Sequence, residues 1–469
     1  MGVKAVKFGG SSLADAGQFQ KVREILLSDP ARKFVVPSAP GRRFEGDDKV
    51  TDLLYRCHFA ARAGENGYVY FEKAAARYRE IAAALHLKTD VDALLQKTFS
   101  QILETGTPDF AASRGEYLCG RLLADCLGWD FVDPREFIRF DRRGVFASEW
   151  TNEVLRAELK KHERAVVPGF YGSFPDGEVR TFSRGGSDIT GAVVARAIDA
   201  ELYENWTDVS GFLMADPRIV PNPRGIREMT YQELRELSYM GATVLHEESI
   251  FPVRVAGIPT QIKNTNDPSH PGTMILACPS KDGGVITGIA GHKNFTLISI
   301  EKGMMNAERG FGRRVLQVLD DFDISFEHLP TGIDTMSVVI STEELSTRRG
   351  EILKRLNEAC QPDSIEMTDG IALIATVGHG MVRNPGTAAR LFAALDRAHV
   401  NVRMIDQGSS ELNIIVGVDS ADFETAVRAI DGRLRRNRKR THACAARPFF
   451  IGFPVQGCEI LRCQRTQSA

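Results

Sequence analysis

The apolar positions of the first 280 residues fall into two rhythms. Short runs at Val3–Phe8, Lys33–Val36 and Ala165–Val167 read as strands, and a further strand is expected near Ala200–Tyr203. Between them, Ala16–Leu27, Thr51–Ala63, Val69–Leu87, Gly115–Leu127 and Ile189–Ile198 show helical spacing or are rich in alanine. Strands separated by helices predict an α/β unit with a mostly parallel sheet. Pro279, Gly283 and Gly284 predict a linker at its end.

The rest of the chain repeats itself. A shift of 76 residues lays 295–340 on 371–416 without a gap, with identities such as Leu297/Leu373, Met305/Met381, Gly310/Gly386, Arg314/Arg390, Leu319/Leu395 and Gly332/Gly408. The first copy reads strand (Phe295–Ile300), helix (Gly310–Phe322), strand (Ile324–Leu329), strand (Met336–Ile340), helix (Glu343–Cys360) and strand (Ser364–Met367). That order, βαββαβ, is ferredoxin-like. The second copy has its last helix at Asp422–Ile430 and no closing strand of its own. A spare strand, Val285–Ala290, precedes the first copy and is expected to close the second, interleaving the modules. The predicted units are 1–280, a shared strand and linker at 281–294, modules at 295–368 and 369–432, and a tail at 433–469.

Composition narrows the class. With 469 residues, 43% hydrophobic and 26% charged, the chain is globular and long enough for about three cores. Lys plus Arg number 59 against 61 Asp plus Glu, so no global basic field favours nucleic acid. No apolar run reaches the roughly 18–20 residues that span a bilayer, and the start lacks a signal-peptide pattern, so no membrane partner and a cytoplasmic location are expected. Eight cysteines include no CxxC pair, which leaves disulfide scaffolds, zinc ribbons and a structural metal unsupported. Cys444, Cys458 and Cys463 crowd into the tail behind a basic run from Arg433 to Arg440, and no role is assigned to that segment.

Candidate chemistry gathers at glycine turns. Lys7 precedes Gly9-Gly10-Ser11-Ser12, where bare backbone N–H groups can approach an anion and the lysine adds a point charge. There is no Walker A or GxGxxG pattern. Phe182-Ser183-Arg184-Gly185-Gly186-Ser187-Asp188 leads into a helix. Ser187 and Asp188 read either as caps or, with Arg184, as a carboxylate or phosphate site. Glu116 reads as opening a helix, where it complements the helix dipole or binds a ligand. Trp206-Thr207-Asp208 and Asp216-Pro217-Arg218 read as a polar loop after a strand, a common place for ligands.

Taken in order, Lys7–Ser12, Phe182–Asp188, Thr207-Asp208 with Asp216-Pro217-Arg218, Tyr231–His246, Ser325–Ile340 and Met404–Glu411 resemble the aspartate kinases. The resemblance spans residues 3 to about 431. It implies an amino-acid kinase three-layer αβα sandwich followed by two ferredoxin-like ACT modules. It further implies transfer of the γ-phosphoryl of ATP to the side-chain carboxylate of L-aspartate, in amino-acid biosynthesis. A carboxylate nucleophile is already ionised at neutral pH, so the chemistry calls for charge neutralisation and positioning and for no catalytic histidine.

By that resemblance Lys7, Arg184 and Asp188 are the catalytic set. Ser38, Thr51, Glu116, Phe170, Arg184, Ser187 and Asp188 would bind aspartate. Lys7, Gly9, Gly10, Ser11, Thr207, Asp208, Asp216 and Arg218 would hold ATP, with Mg²⁺ arriving on the nucleotide. Met305, Ser325, Glu327 and Asp334 match the region where an amino-acid effector binds, lysine being the first expectation and threonine the second, in a homodimer or higher homo-oligomer. The chain departs from many relatives at Thr243, where they carry a lysine, and at His246-Glu247, where they carry His-Pro. Two alternatives compete: an inactive amino-acid-binding regulator, and a kinase of the same fold for glutamate, acetylglutamate, carbamate or UMP. The intact polar turns argue against the first and the tandem repeat against the second.

Overall fold

A computed structural model describes residues 2–437 apart from Arg184, Thr243, Val244, His246, residues 280–283 and Ser346. The strands of the first unit are β1 (Lys4–Phe8), β2 (Arg32–Pro37), β3 (Asp130–Phe131), β4 (Ala165–Val166), β5 (Tyr171–Ser173), β6 (Val179–Thr181), β7 (Leu202–Thr207), β8 (Glu228–Thr230), β9 (Thr260–Asn264) and β10 (Thr273–Leu276). Eight of them form one sheet in the order β3-β4-β2-β1-β7-β9-β10-β8, and β5 and β6 make a separate hairpin. The first six strands of that order run parallel, and β10 reverses against β9.

Alternation along the central strands produces the three layers. Val6, Phe8 and Val35 pack into one core with the helices Ala16–Leu27, Val50–Arg62, Tyr68–Ala84 and Pro108–Leu127. Ala5, Phe34 and Val36 point the other way, into a core with the helices Ser148–Leu159 and Gly186–Ala197. The chain passes from β1 to β2 on one side while β7 flanks the other, and a cleft lies at the carboxyl ends of β1 and β2, bordered by Lys7, Gly9 and Ser38. Among the described residues no helix is long and apolar enough to cross a membrane.

The predicted helix Gly115–Leu127 begins earlier, at Pro108, because Thr107 caps it and proline suits a first helical turn. Glu116 therefore lies mid-helix and does not complement a helix dipole. Helix Val91–Thr105 adds to the expected elements. Asp90 caps its start and Gly106, at φ +67°, ends it. Trp206 and Thr207 end β7 and do not belong to a loop.

The second unit is a single antiparallel sheet of β11 (Gly288–Glu301), β12 (Thr335–Ser341), β13 (Ser364–Val377), β14 (Val402–Asp406) and β15 (Asn413–Asp419), ordered β12-β11-β13-β15-β14. Strands expected to be separate are fused: β11 and β13 each run through both modules. Gly288–His292 pairs with Leu373–Val377 of the second copy, and Phe295–Glu301 pairs with Ser364–Ile371. Between the two stretches the register shifts beside Asn294, whose φ of +73° marks the bulge. The helices Phe311–Asp321 and Arg349–Cys360 cover one end of the sheet, and Thr387–Arg397 and Phe423–Asn437 cover the other.

The expected strand Ile324–Leu329 is absent. His328 and Thr331 make only isolated bridges to β12, and Pro330 brings no N–H to a ladder. The helix expected at Glu343–Cys360 is divided into Thr342–Leu345 and Arg349–Cys360. The last helix continues beyond Ile430 to Asn437, through the beginning of the segment read as a tail. Cys444, Cys458 and Cys463 lie outside the described residues.

The helix-free face of this sheet is not left bare. Leu297, Val339, Leu373, Met404 and Ile415 share one core with Leu234 and Leu237 of helix Tyr231–Tyr239. The sheet coils far enough for its two margins to meet, with His328 Nδ1 and Asp406 Oδ2 2.6 Å apart. Helix Tyr231–Tyr239 fastens the units together at every third residue. Glu233 accepts from Thr287 Oγ1 (2.6 Å) and from the His379 N–H (2.9 Å). Glu236 accepts from Asn413 Nδ2 (2.6 Å), and the Tyr239 hydroxyl donates to Glu327 Oε2 (2.5 Å).

Candidate active site

The loops after β1 and β2 meet backbone to backbone. The Gly41 N–H donates to Gly10 O (2.8 Å), and a Cβ on Gly10 would lie 2.9 Å from Ala39 O. Only glycine permits that approach. Lys7, one residue before the end of β1, is buried, and its register partner on β7 is Asn205. Both side chains face the start of helix Gly186–Ala197.

That helix has no side-chain cap. Gly185 stands before it at φ +56°, so Ser187 and Asp188 occupy its first turn, contrary to the capping expectation. Asp188 Oδ1 lies 2.6 Å from Lys7 Nζ. Asn205 Nδ2 donates to the same oxygen at 2.7 Å, and Lys7 Nζ donates to Asn205 Oδ1 at 3.4 Å. Phe170 takes φ +82°, its N–H donates to Thr190 Oγ1 (3.0 Å), and a Cβ on Gly186 would come within 2.5 Å of its ring. A left-handed phenylalanine held this way is a strained residue at a site wall.

Glu116 reaches the cleft from the middle of its helix. It is fully buried and its Oε2 has no hydrogen-bond partner among the described residues. Burial pushes its carboxyl up to about 8, opposed only in part by the backbone N–H of Ala39. Burial thus favours the neutral acid, and a ligand cation beside Glu116 would favour the carboxylate.

Lys7, Gly9, Gly10, Ser38, Thr51, Glu116, Phe170, Ser187 and Asp188 all line one cleft of about 230 Å³, together with Gly185 and Gly186. Arg184, Thr243 and His246 lie outside the described residues. The remaining expected nucleotide residues do not line the cleft. Ser11 sits in the 3-10 turn Gly10–Leu13. Thr207 ends β7, with its hydroxyl on Asp208 Oδ1 (3.1 Å). Asp216 and Arg218 are paired to each other at 2.6 Å, with Arg218 exposed. Their segment leans on the second module: Ala215 and Val220 enter its core, and Arg428 Nε donates to Ile219 O (3.0 Å).

The four expected effector residues form two groups along β12. Asp334 precedes its start, where Asp334 Oδ1 accepts from the Met304 N–H, and the neighbouring Met305 is buried. Glu327 lies opposite Val339, four residues along, and the Ser325 N–H donates to Glu344 Oε2 beyond the end of the strand. Sequence reasoning did not single out Asn205. The available signal is a pair of adjacent polar residues, Glu204 and Asn205, within the run of a central strand, where both are buried.

Comparison with known proteins agrees with this geometry. The amino acid kinase family profile matches residues 2–264, and an ACT domain profile matches residues 374–434. Aspartokinase 3 of Bacillus subtilis is 40% identical over 448 residues, covering 91% of this chain and 98% of its own. The crystal structure of Clostridium acetobutylicum aspartate kinase, described as an allosteric enzyme, superimposes with a TM-score of 0.87 at 50% identity, over 92% of this chain and all of its own. E. coli aspartokinase III in complex with aspartate and ADP gives a TM-score of 0.72 at 25% identity, over 92% of this chain and all of its own. The same enzyme with lysine and aspartate gives 0.70 at 26%, over 92% and 99%. A polar cleft at the switch point of a kinase sheet and a relative this similar along almost its whole length lead to one conclusion: the chain belongs to the aspartokinase family.

Proposed function

We propose that this cleft is where L-aspartate meets the γ-phosphate of ATP, and that Lys7 is the group that brings the two anions together. The observation that carries this reading is the buried Lys7–Asp188 pair facing Glu116 across one cleft. An oxygen of the aspartate side chain attacks the γ-phosphorus. The bond to the β,γ-bridging oxygen breaks, and ADP leaves with that electron pair. No proton has to be removed from the nucleophile. Lys7 offsets charge on the transferring phosphoryl group, and Gly9 and Gly10 present backbone N–H groups to phosphate oxygens. Glu116 and Asp188 receive the substrate α-ammonium, Arg184 its α-carboxylate, and Ser38, Thr51, Phe170 and Ser187 shape the pocket.

Ser11, Thr207, Asp208, Asp216 and Arg218 are assigned to the nucleotide. Among the described residues no three His, Cys, Asp or Glu side chains converge, so Mg²⁺ would be held chiefly by phosphate oxygens and water. Residues 1–280 form the catalytic unit, and the modules at 295–368 and 369–432 the regulatory one, working in the cytoplasm as a homo-oligomer joined through the modules. Lysine is the proposed effector, near Met305, Ser325, Glu327 and Asp334, in keeping with the E. coli enzyme that binds lysine and aspartate.

An ATP- and aspartate-dependent hydroxamate assay tests both parts. Lys7→Ala is expected to lower kcat by about 100-fold or more with a much smaller change in the aspartate KM; wild-type turnover in that variant removes Lys7 from the mechanism. Lysine alone is expected to inhibit the wild type, and indifference to lysine, threonine and their mixture removes the effector assignment.

A further inference from the structure

We infer that Asn205 is a positioning residue for the phosphoryl transfer, orienting Asp188 and Lys7 as a unit; this rests on the proposed role of Lys7. The three side chains close a ring. Lys7 Nζ forms an ion pair with Asp188 Oδ1 at 2.6 Å, Asn205 Nδ2 donates to the same oxygen at 2.7 Å, and Asn205 Oδ1 accepts from Lys7 Nζ at 3.4 Å. Parallel register sets Asn205 directly beside Lys7, and its neighbour on the other flank is Ile262 of β9. Asn205 is almost wholly buried.

A carboxamide suits this place. It offers an N–H to the carboxylate and a C=O to the ammonium, and the opposite orientation would face like with like. With the amide on Oδ1 of Asp188, Oδ2 is the oxygen assigned to the ligand. By accepting from one Lys7 N–H, it turns another toward the ligand. A leucine here would fill the volume and orient neither group.

The charged or titratable groups around Asn205 are few. Lys7 comes from β1 and Asp188 from helix Gly186–Ala197. Tyr203 lies two residues earlier on β7, with its hydroxyl on Asp188 O (3.1 Å), and Glu116 lines the same cleft. Aspartate at position 205 is therefore an informative substitution. Protonated, its OH donates to Asp188 and its C=O accepts from Lys7, as the amide does. Ionised, it sets a second anion beside Asp188 and draws the Lys7 ammonium away from the phosphate.

The test uses the full-length enzyme in the hydroxamate assay between about pH 6 and pH 9, with circular dichroism to quantify folded protein. Asn205→Leu is expected to lower kcat by about 10- to 100-fold at every pH, with the ATP KM within about threefold of wild type. Asn205→Asp is expected to approach wild-type kcat at the acid end and to lose about tenfold relative to wild type as pH rises. The inference is overturned by an Asn205→Leu enzyme with wild-type kcat per folded molecule, or by an Asn205→Asp to wild-type ratio that does not change with pH. If Asn205→Leu does not fold, the pH ratio of Asn205→Asp decides alone. Wild-type turnover in Lys7→Ala would remove the underlying reading, whereas an inactive Lys7→Ala beside an unaffected Asn205→Leu removes only this inference.

Discussion

The two copies of the 76-residue repeat carry the same short-range instructions and come to different ends. Gly310 and Gly386 stand before equivalent helices at φ +79° and +82°. Met305 and Met381 are both buried just ahead of those turns, and Asp323 and His399 both take φ +54° just after the helices. Each of these features depends on a few neighbouring residues, so each recurs. The copies part at the next segment. Val402–Asp406 is a strand against β15, whereas the matching stretch before Pro330 makes isolated bridges only. The second copy takes Ala215 and Val220 of the catalytic unit into its core, and the first leaves Phe326 and Ile333 exposed along an irregular margin. Both copies thus rest on the catalytic unit, the first through Leu297, Val339 and Glu327 against helix Tyr231–Tyr239 and the second also through the segment around Ala215 and Val220.

The largest effect that can break this comparison comes from the cores. Leu319→Ala and Leu395→Ala remove equivalent buried side chains, and each should cost about 2–5 kcal/mol by thermal unfolding. Only the second should also disturb basal catalysis, because its core holds Ala215 and Val220 on either side of Asp216–Arg218. A severalfold change in the ATP KM is expected for Leu395→Ala and none for Leu319→Ala at a temperature where both remain folded. Equal effects on KM would mean that the segment between Ala215 and Val220 does not set the two copies apart in catalysis.

A smaller effect sharpens the shared part. Gly310→Ala and Gly386→Ala place a Cβ in open space, with only an arginine end nearby, so the cost is that of the left-handed backbone alone. About 1–2 kcal/mol is expected for each, and nearly the same value for both. A marked difference would show that one turn is held by its surroundings. The smallest effect concerns the open margin. Tyr239→Phe deletes an exposed bond to Glu327 and should change stability by less than about 1 kcal/mol. If the first copy senses lysine, the same variant shifts the lysine concentration needed for half inhibition; an unchanged inhibition curve would place the sensing elsewhere.

What can be read from the sequence follows the same division between local and distant causes. Helix Ala16–Leu27 occurs at its predicted bounds because Asp15 caps it and its apolar spacing is regular. Helix Val91–Thr105 is harder to see, since few of its apolar side chains are buried and the signal lies in its two ends. The fusion of strands into β11 and β13 is not readable from periodicity, because a bulge at Asn294 resets the alternation in mid-strand. At the site, nine expected residues from distant segments share one cleft, and their glycine turns and polar clusters made them visible. Asn205 was hidden for a different reason: its meeting with Lys7, 198 residues away, is decided by strand register.

The continuity of β11 also bears on how the chain matures. Gly288–His292 is made before any of the first copy yet finds its partner, Leu373–Val377, only after that whole copy has been synthesised. During translation the nested module can complete itself while the outer one waits, its first strand an unpaired edge. No single cut in the chain separates the two modules with their strands intact. The outer module can therefore close only after Leu373–Val377 has been made.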